Sequence, residues 1–182
     1  MKQQSYTVRF LTPAFLGNAE QAGQWRTPPF KALLRQWWRI AVAQDLAFNV
    51  NSLRRREAEL FGVAADGGDS NKSKVRLRLD NWSLGTLQQA PDIGRVIMGK
   101  NQIAGALYSG FGPVVPGGRA APPRLKANAA LQAGAEAQLR FAFPENAGIE
   151  EAMALMNAFG TVGGRSRNGW QAAAPSCPAL PQ

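Results

Sequence analysis

Histidine is absent from the 182-residue chain, and cysteine occurs once, at Cys177. The first absence removes a Ser-His-Asp triad, a Cys-His pair, a histidine general base and an imidazole-ligated metal. The second removes a disulfide framework and any thiolate zinc site. Cys177 lies in a Pro/Ala-rich stretch with nothing nearby to lower its pKa, and reads as incidental. No 18 apolar residues run together, so no transmembrane helix is expected. The polar N-terminus, Met1 to Arg9, lacks the apolar stretch of a signal peptide, and a lone cysteine suits a reducing cytoplasm. Carboxylates are scarce too. Asp66 and Asp69, in a Gly-rich loop, are too few to hold a hard cation, and Glu150-Glu151 suits the start of a helix better than acid/base work. No metal or cofactor is expected. What is present is basic: 21 Lys and Arg against 12 Asp and Glu, a formal charge of +9. With 45% hydrophobic and 18% charged residues, the chain has enough apolar material for a core. It points to anion binding before catalysis.

Periodicity supplies the elements. Tyr6–Thr12 alternates and reads as a strand ended by Pro13. A helix is predicted from the Pro28-Pro29 pair to about Leu46, with Phe30, Leu33, Leu34, Trp37 and Ala41 as its apolar stripe. Ser52 is the expected cap of a second helix, Leu53–Phe61. Lys74–Leu79 reads as a half-buried strand whose outer face is Lys74, Arg76 and Arg78. Residues 81–126 read as an irregular insertion with short hairpins. Gln138–Phe143 is a strand, Ile149–Phe159 an amphipathic helix, Trp170–Ala174 a last short strand and 175–182 a tail. One domain over 1–174 is expected. The order β-α-(α)-β-β-α-(β) suits an α+β, ferredoxin-like (RRM-like) β-α-β-β-α-β sandwich.

Two stretches carry candidate chemistry. Lys31, Arg35 and Arg39, at i, i+4 and i+8, stack on one helix face, and no carboxylate at matching spacing neutralises them. Trp25, Trp37 and Trp38 lie close by in sequence. Such cations contact phosphates, and exposed indoles stack on unpaired bases. The competing reading is a solvated cationic face over core tryptophans, the better reading for Trp37. Spacing alone does not decide the triplet. The second stretch, Gly160–Trp170, is a Gly-rich basic loop after a helix. Its glycines permit an anion nest. Arg165 and Arg167 add charge, Ser166 and Asn168 add hydrogen bonds, and Trp170 offers a stacking plane. It is neither a Walker A loop nor a dinucleotide fingerprint. Arg54-Arg55-Arg56, followed by Glu57 and Glu59, reads as a solvated helix face.

Taken together, these stretches resemble the RAMP superfamily of CRISPR-associated proteins, most closely the first subunit of Cmr-type (type III-B) effector complexes. The resemblance rests on Leu11-Thr12-Pro13 with Phe15-Leu16-Gly17, and on the run from Arg26 to Arg39 with its Trp37-Trp38-Arg39. It rests further on Glu59-Leu60-Phe61-Gly62, and on Gly163-Gly164-Arg165-Ser166-Arg167-Asn168-Gly169-Trp170. That subunit has two such domains, where this chain has the motifs of one, and Gln171 stands where the family's loop has glycine after its aromatic residue.

The resemblance implies a non-catalytic RNA-binding subunit of a type III ribonucleoprotein effector in antiviral defence. Its partners would be guide RNA, target RNA and other RAMP subunits. Trp25, Arg26, Lys31, Arg35 and Arg39 would face RNA, as would Gly163, Gly164, Arg165, Ser166, Arg167, Asn168 and Trp170. The family's RNA-cutting subunits place an aspartate before the first helix. Residues 14–27 here offer only Glu20 as an acid, which implies no cleavage. The alternatives are a metal-independent endoribonuclease for precursor guide RNA, using Lys31, Tyr108 or Glu20, and a stand-alone RNA-binding module.

Overall fold

The computed structural model describes residues 1–63, 71–118, 121–126, 130–165, 168–170 and 173–176. Strand β1 (Lys2–Phe10) turns Val8 and Phe10 inward and leaves Arg9 in solvent. Strand β7 (Glu136–Phe143) alternates more cleanly, burying Ala137, Leu139, Phe141 and Phe143. The two pair antiparallel from Lys2↔Phe143 to Arg9↔Glu136. Strand β2 (Arg76–Leu79) joins the other side of β7, and β8 (Ala173–Ser176) joins the other side of β1. The result is a four-stranded antiparallel sheet in the order β2-β7-β1-β8. Thus β1 and β2 flank β7, while β7 and β8 flank β1.

Helices α1 (Thr27–Ala41) and α4 (Ile149–Phe159) pack on each other and on one face of this sheet. Proline falls in the first turn of α1, where its missing N–H costs no bond. Phe30, Leu34 and Trp38 are the buried side chains of α1, and the Trp38 indole N–H donates to the Ala147 carbonyl at 2.7 Å. Trp37, expected on the apolar stripe, is only partly buried, with its ring 6.0 Å from that of Phe159. Gly148 caps the start of α4 at φ +69, and a Cβ there would meet Val42 Cγ1 at 2.5 Å. Glycine is required twice over at this position.

Several boundaries differ from the sequence expectation. Helix α1 stops at Ala41 rather than near Leu46, and Ala47 and Phe48 both take left-handed φ values of 48° and 56°. The second helix, α2 (Val50–Phe61), is capped by Asn49, whose side chain accepts from the Ser52 N–H at 2.9 Å. Asn49 can sit outside the helix and still reach that donor, so it displaces Ser52 as cap. The β2 ladder starts at Arg76 because the N–H groups of Lys74 and Val75 turn to the Leu60 carbonyl at the end of α2. The last strand lies at Ala173–Ser176, not at 170–174.

The 81–126 stretch is more ordered than its composition suggests. It contains a hairpin of β3 (Arg95–Met98) and β4 (Asn101–Ala104), a short helix α3 (Gly105–Gly110), and the two-residue strands β5 (Val114–Val115) and β6 (Arg124–Leu125). Ala106, Val114, Leu125 and Ala130 form a small second core there, closed by Trp170. No helix among the described residues is long and apolar enough to cross a membrane.

Candidate nucleic-acid interface

Helical spacing brings Lys31, Arg35 and Arg39 onto the side of α1 that faces β2. Together with Arg76 of β2 and Ser73 they line a groove of about 740 Å³ between the two elements. The expected absence of a neutralising carboxylate is corrected by the tertiary structure. Glu57 of α2 reaches between the arginines. Arg35 Nε donates to Glu57 Oε1, while Arg39 donates from Nε to Oε2 and from a terminal nitrogen to Oε1, each at 2.6 Å. Glu57 is only 4% exposed, so it is not part of a solvated face. Its hydrogen bond from Arg39, then that from Arg35, holds its carboxyl below its ordinary value of 4.5, although burial opposes this. The same hydrogen bond raises the pKa of Arg39.

This arrangement leaves the groove cationic. Lys31, Arg35 and Arg39 line it from α1 and Arg76 borders it from β2, while the Glu57 carboxylate lies beneath two of the α1 cations. Each guanidinium has five N–H donors, so the contacts with Glu57 leave several for a ligand while fixing the orientation of both forks. Lys31 donates from Nζ to Ser73 Oγ at 2.7 Å, and Ser73 passes its own hydrogen to the Val75 carbonyl. Partial burial, then the charge of Arg35, lowers the pKa of Lys31. An anion in the groove would favour the charged amine and so oppose this lowering.

Trp25 and Trp170 do not serve as stacking planes. Trp25 is 1% exposed, enclosed by Phe10 at 4.8 Å and Phe30 at 6.3 Å. Trp170 is 3% exposed, packs on Phe15 at 5.0 Å and donates from its indole N–H to Ser109 Oγ at 2.9 Å. Both are core residues because a ring with two apolar neighbours gains more from burial than from exposure. Arg26 is partly spent on an internal contact, donating to the Gly17 carbonyl.

The Gly-rich loop does contain left-handed backbone: Gly163 at φ +104, Arg165 at +64 and Gly169 at +83. The Asn168 N–H closes a turn onto the Arg165 carbonyl at 3.0 Å, and the Gly164 N–H points to the Phe15 carbonyl at 3.5 Å. Those two donors face the protein rather than a ligand. The Asn168 side-chain amide is likewise committed, donating to the Ser109 carbonyl at 2.9 Å. Arg165 is exposed and lies over Gly112. Ser166, Arg167 and Cys177, like Asp66 and Asp69, lie outside the described residues. The loop is therefore held by α3 and by residues 12–15, whereas the groove is built by α1, α2 and β2.

The sequence placed Glu57 on a solvated helix face and marked neither Ser73 nor Ser109 as functional. A signal for Glu57 existed: with Leu53, Leu60 and Phe61 it occupies i, i+4, i+7 and i+8 of α2, the stripe that must face inward. A glutamate on a buried stripe needs cationic partners. Ser73 and Ser109 carry no such local mark.

No protein-family model matches the chain, and no curated protein matches it significantly. Among solved structures, a chain of a type IV-B CRISPR complex matches with a TM-score of 0.56 and 13% identity, over 98% of this chain and 91% of that one. Cmr1 from Pyrococcus furiosus, in its apo form, matches with a TM-score of 0.54 and 14% identity over 96% of this chain. The match covers 49% of Cmr1, so this chain spans about half its length. At these identities the likeness is one of fold alone, that of an α+β chain.

Proposed function

We propose that the chain is a non-catalytic RNA-binding subunit of a type III CRISPR ribonucleoprotein effector, a RAMP protein of ferredoxin-like topology. The observation that carries this reading is the groove between α1 and β2, where Lys31, Arg35 and Arg39 line the α1 side, Arg76 borders the β2 side, and the buried Glu57 carboxylate holds two of the arginines from beneath. A groove with this balance attracts a polyanion, and orienting two guanidinium forks in advance lowers the entropy lost on gripping phosphate. The fold likeness to a type IV-B CRISPR complex chain and to Cmr1 supports RNA as the polyanion and other effector subunits as neighbours. Guide or target RNA lies along the groove, and Arg165 supplies a further contact from the Gly-rich loop.

Binding of guide RNA across a salt series tests this. Single-stranded RNA loses affinity with a log–log slope of about −0.7 per phosphate contacted. Contacts from Lys31, Arg35 and Arg39 then predict a slope of about −2 or steeper. A flat response overturns the reading. Precursor guide RNA incubated with the protein without metal should stay intact, and cleavage would move the chain to the endoribonuclease class.

A further inference from the structure

The sheet has a second face, and it is also cationic. Both helices cover one side, leaving the other to solvent. On the open side the register sets Arg78 directly opposite Arg140, and sets Arg76, two residues along β2, opposite Ala142. All three arginines are exposed, and no ion-pair or hydrogen-bond partner for them is found among the described residues. Arg9 on the same face differs, because its register partner Glu136 stands 3.7 Å away. Between these charges lie Ser5, Thr7 and Gln138.

Like charges directly opposite in an antiparallel pair destabilise it. The Arg78–Arg140 pair therefore weakens the β2–β7 ladder, and neither arginine forms an ion pair among the described residues, although Asp80 stands two residues along the chain from Arg78. The composition of the face selects a ligand class. It has no aromatic side chain on β1, β2 or β7, which excludes a base-stacking platform. Guanidinium forks fit phosphate oxygens, and alternate residues along a strand stand roughly 6.6 Å apart, a ladder suited to a repeating polyanion rather than a single ion. The face also adjoins the groove at the β2 edge, where Arg76 borders the groove and stands in register on the open face.

We infer that Arg76, Arg78 and Arg140 hold the phosphate backbone of a single-stranded nucleic acid that leaves the α1–β2 groove and continues round the edge of β2. This rests on the reading of the groove as an RNA site. The test uses fluorescein-labelled oligouridine of six and of twenty nucleotides, with the full chain and the double variant Arg78→Gln/Arg140→Gln. The six-mer fits the groove alone, whereas the twenty-mer spans both surfaces.

The double variant should bind the six-mer as the parent does and the twenty-mer about tenfold more weakly, with a salt slope shallower by about 1.4. Unchanged twenty-mer affinity overturns the inference while the groove reading stands. If the parent binds neither length, the groove reading fails and this inference fails with it. If the double variant keeps its twenty-mer affinity but loses a protein partner on co-purification, the face is a protein contact and the inference is wrong. Relief of the like-charge pair should hold Tm or raise it by about 1–3 °C, so weaker binding cannot be ascribed to unfolding.

Discussion

Glu57 is the residue on which the groove turns, and its ionisation links the groove to stability. Its folded pKa lies below 4.5, so its contribution is full above that value and is lost as pH falls through the depressed folded value. The parent chain should therefore lose stability below about pH 4.5, and Glu57→Gln should be flatter over the same window. Urea midpoints measured from pH 7 to pH 2.5 check this. At pH 7 the substitution should cost about 1–3 kcal/mol, because Arg35 and Arg39 are exposed enough for water to take up the abandoned donors. Lys31→Gln isolates the ligand side: it removes one cation without disturbing Glu57. The slope of RNA affinity against salt should become shallower by about 0.7, with Tm nearly unchanged.

Elements with strong periodicity were legible from sequence, and those held by remote partners were not. Ile149–Phe159 stands at its expected bounds because Met153, Met156 and the Gly residues on either side mark a face and two ends locally. Helix α1 was read five residues too long, since Ala43 and Leu46 continue an apolar pattern and the left-handed turn at Ala47 and Phe48 has no glycine to announce it. Short helix α3 was missed altogether. Its partners are Trp170 and Asn168, roughly sixty positions away, and that separation also hid the role of Ser109. Ser109→Ala should cost about 1–2 kcal/mol by leaving the Trp170 indole N–H buried without an acceptor. Hydrogen exchange should quicken in 160–165 and at 105–110 together, and exchange confined to α3 would show that the two are not one unit. Asn49→Ala should cost about 1 kcal/mol as a lost cap, whereas Ser52→Ala should be close to neutral; thermal melts of the pair separate the two residues.

At the scale of the molecule, composition anticipated a polyanion-binding protein, but charge counting could not locate the surfaces. The triplet on α1 was visible as helical spacing, yet its conversion into a groove needed β2 and α2 brought alongside. Trp25 and Trp170 were misjudged because stacking plane and core ring have the same local sequence, and only packing separates them. Strand order has a consequence of its own. The central strand β1 finds both of its neighbours, β7 and β8, in the last third of the chain. A ribosome adding about 5–20 residues per second needs roughly 6–25 s to pass from the end of β1 to the start of β7. For that interval β1 has emerged with neither edge occupied, while α1, α2 and the insertion are already available to collapse. Productive folding of the sheet thus waits on the far end of synthesis, and a stalled chain lacking residues beyond 135 would expose a strand with no native partner to receive it.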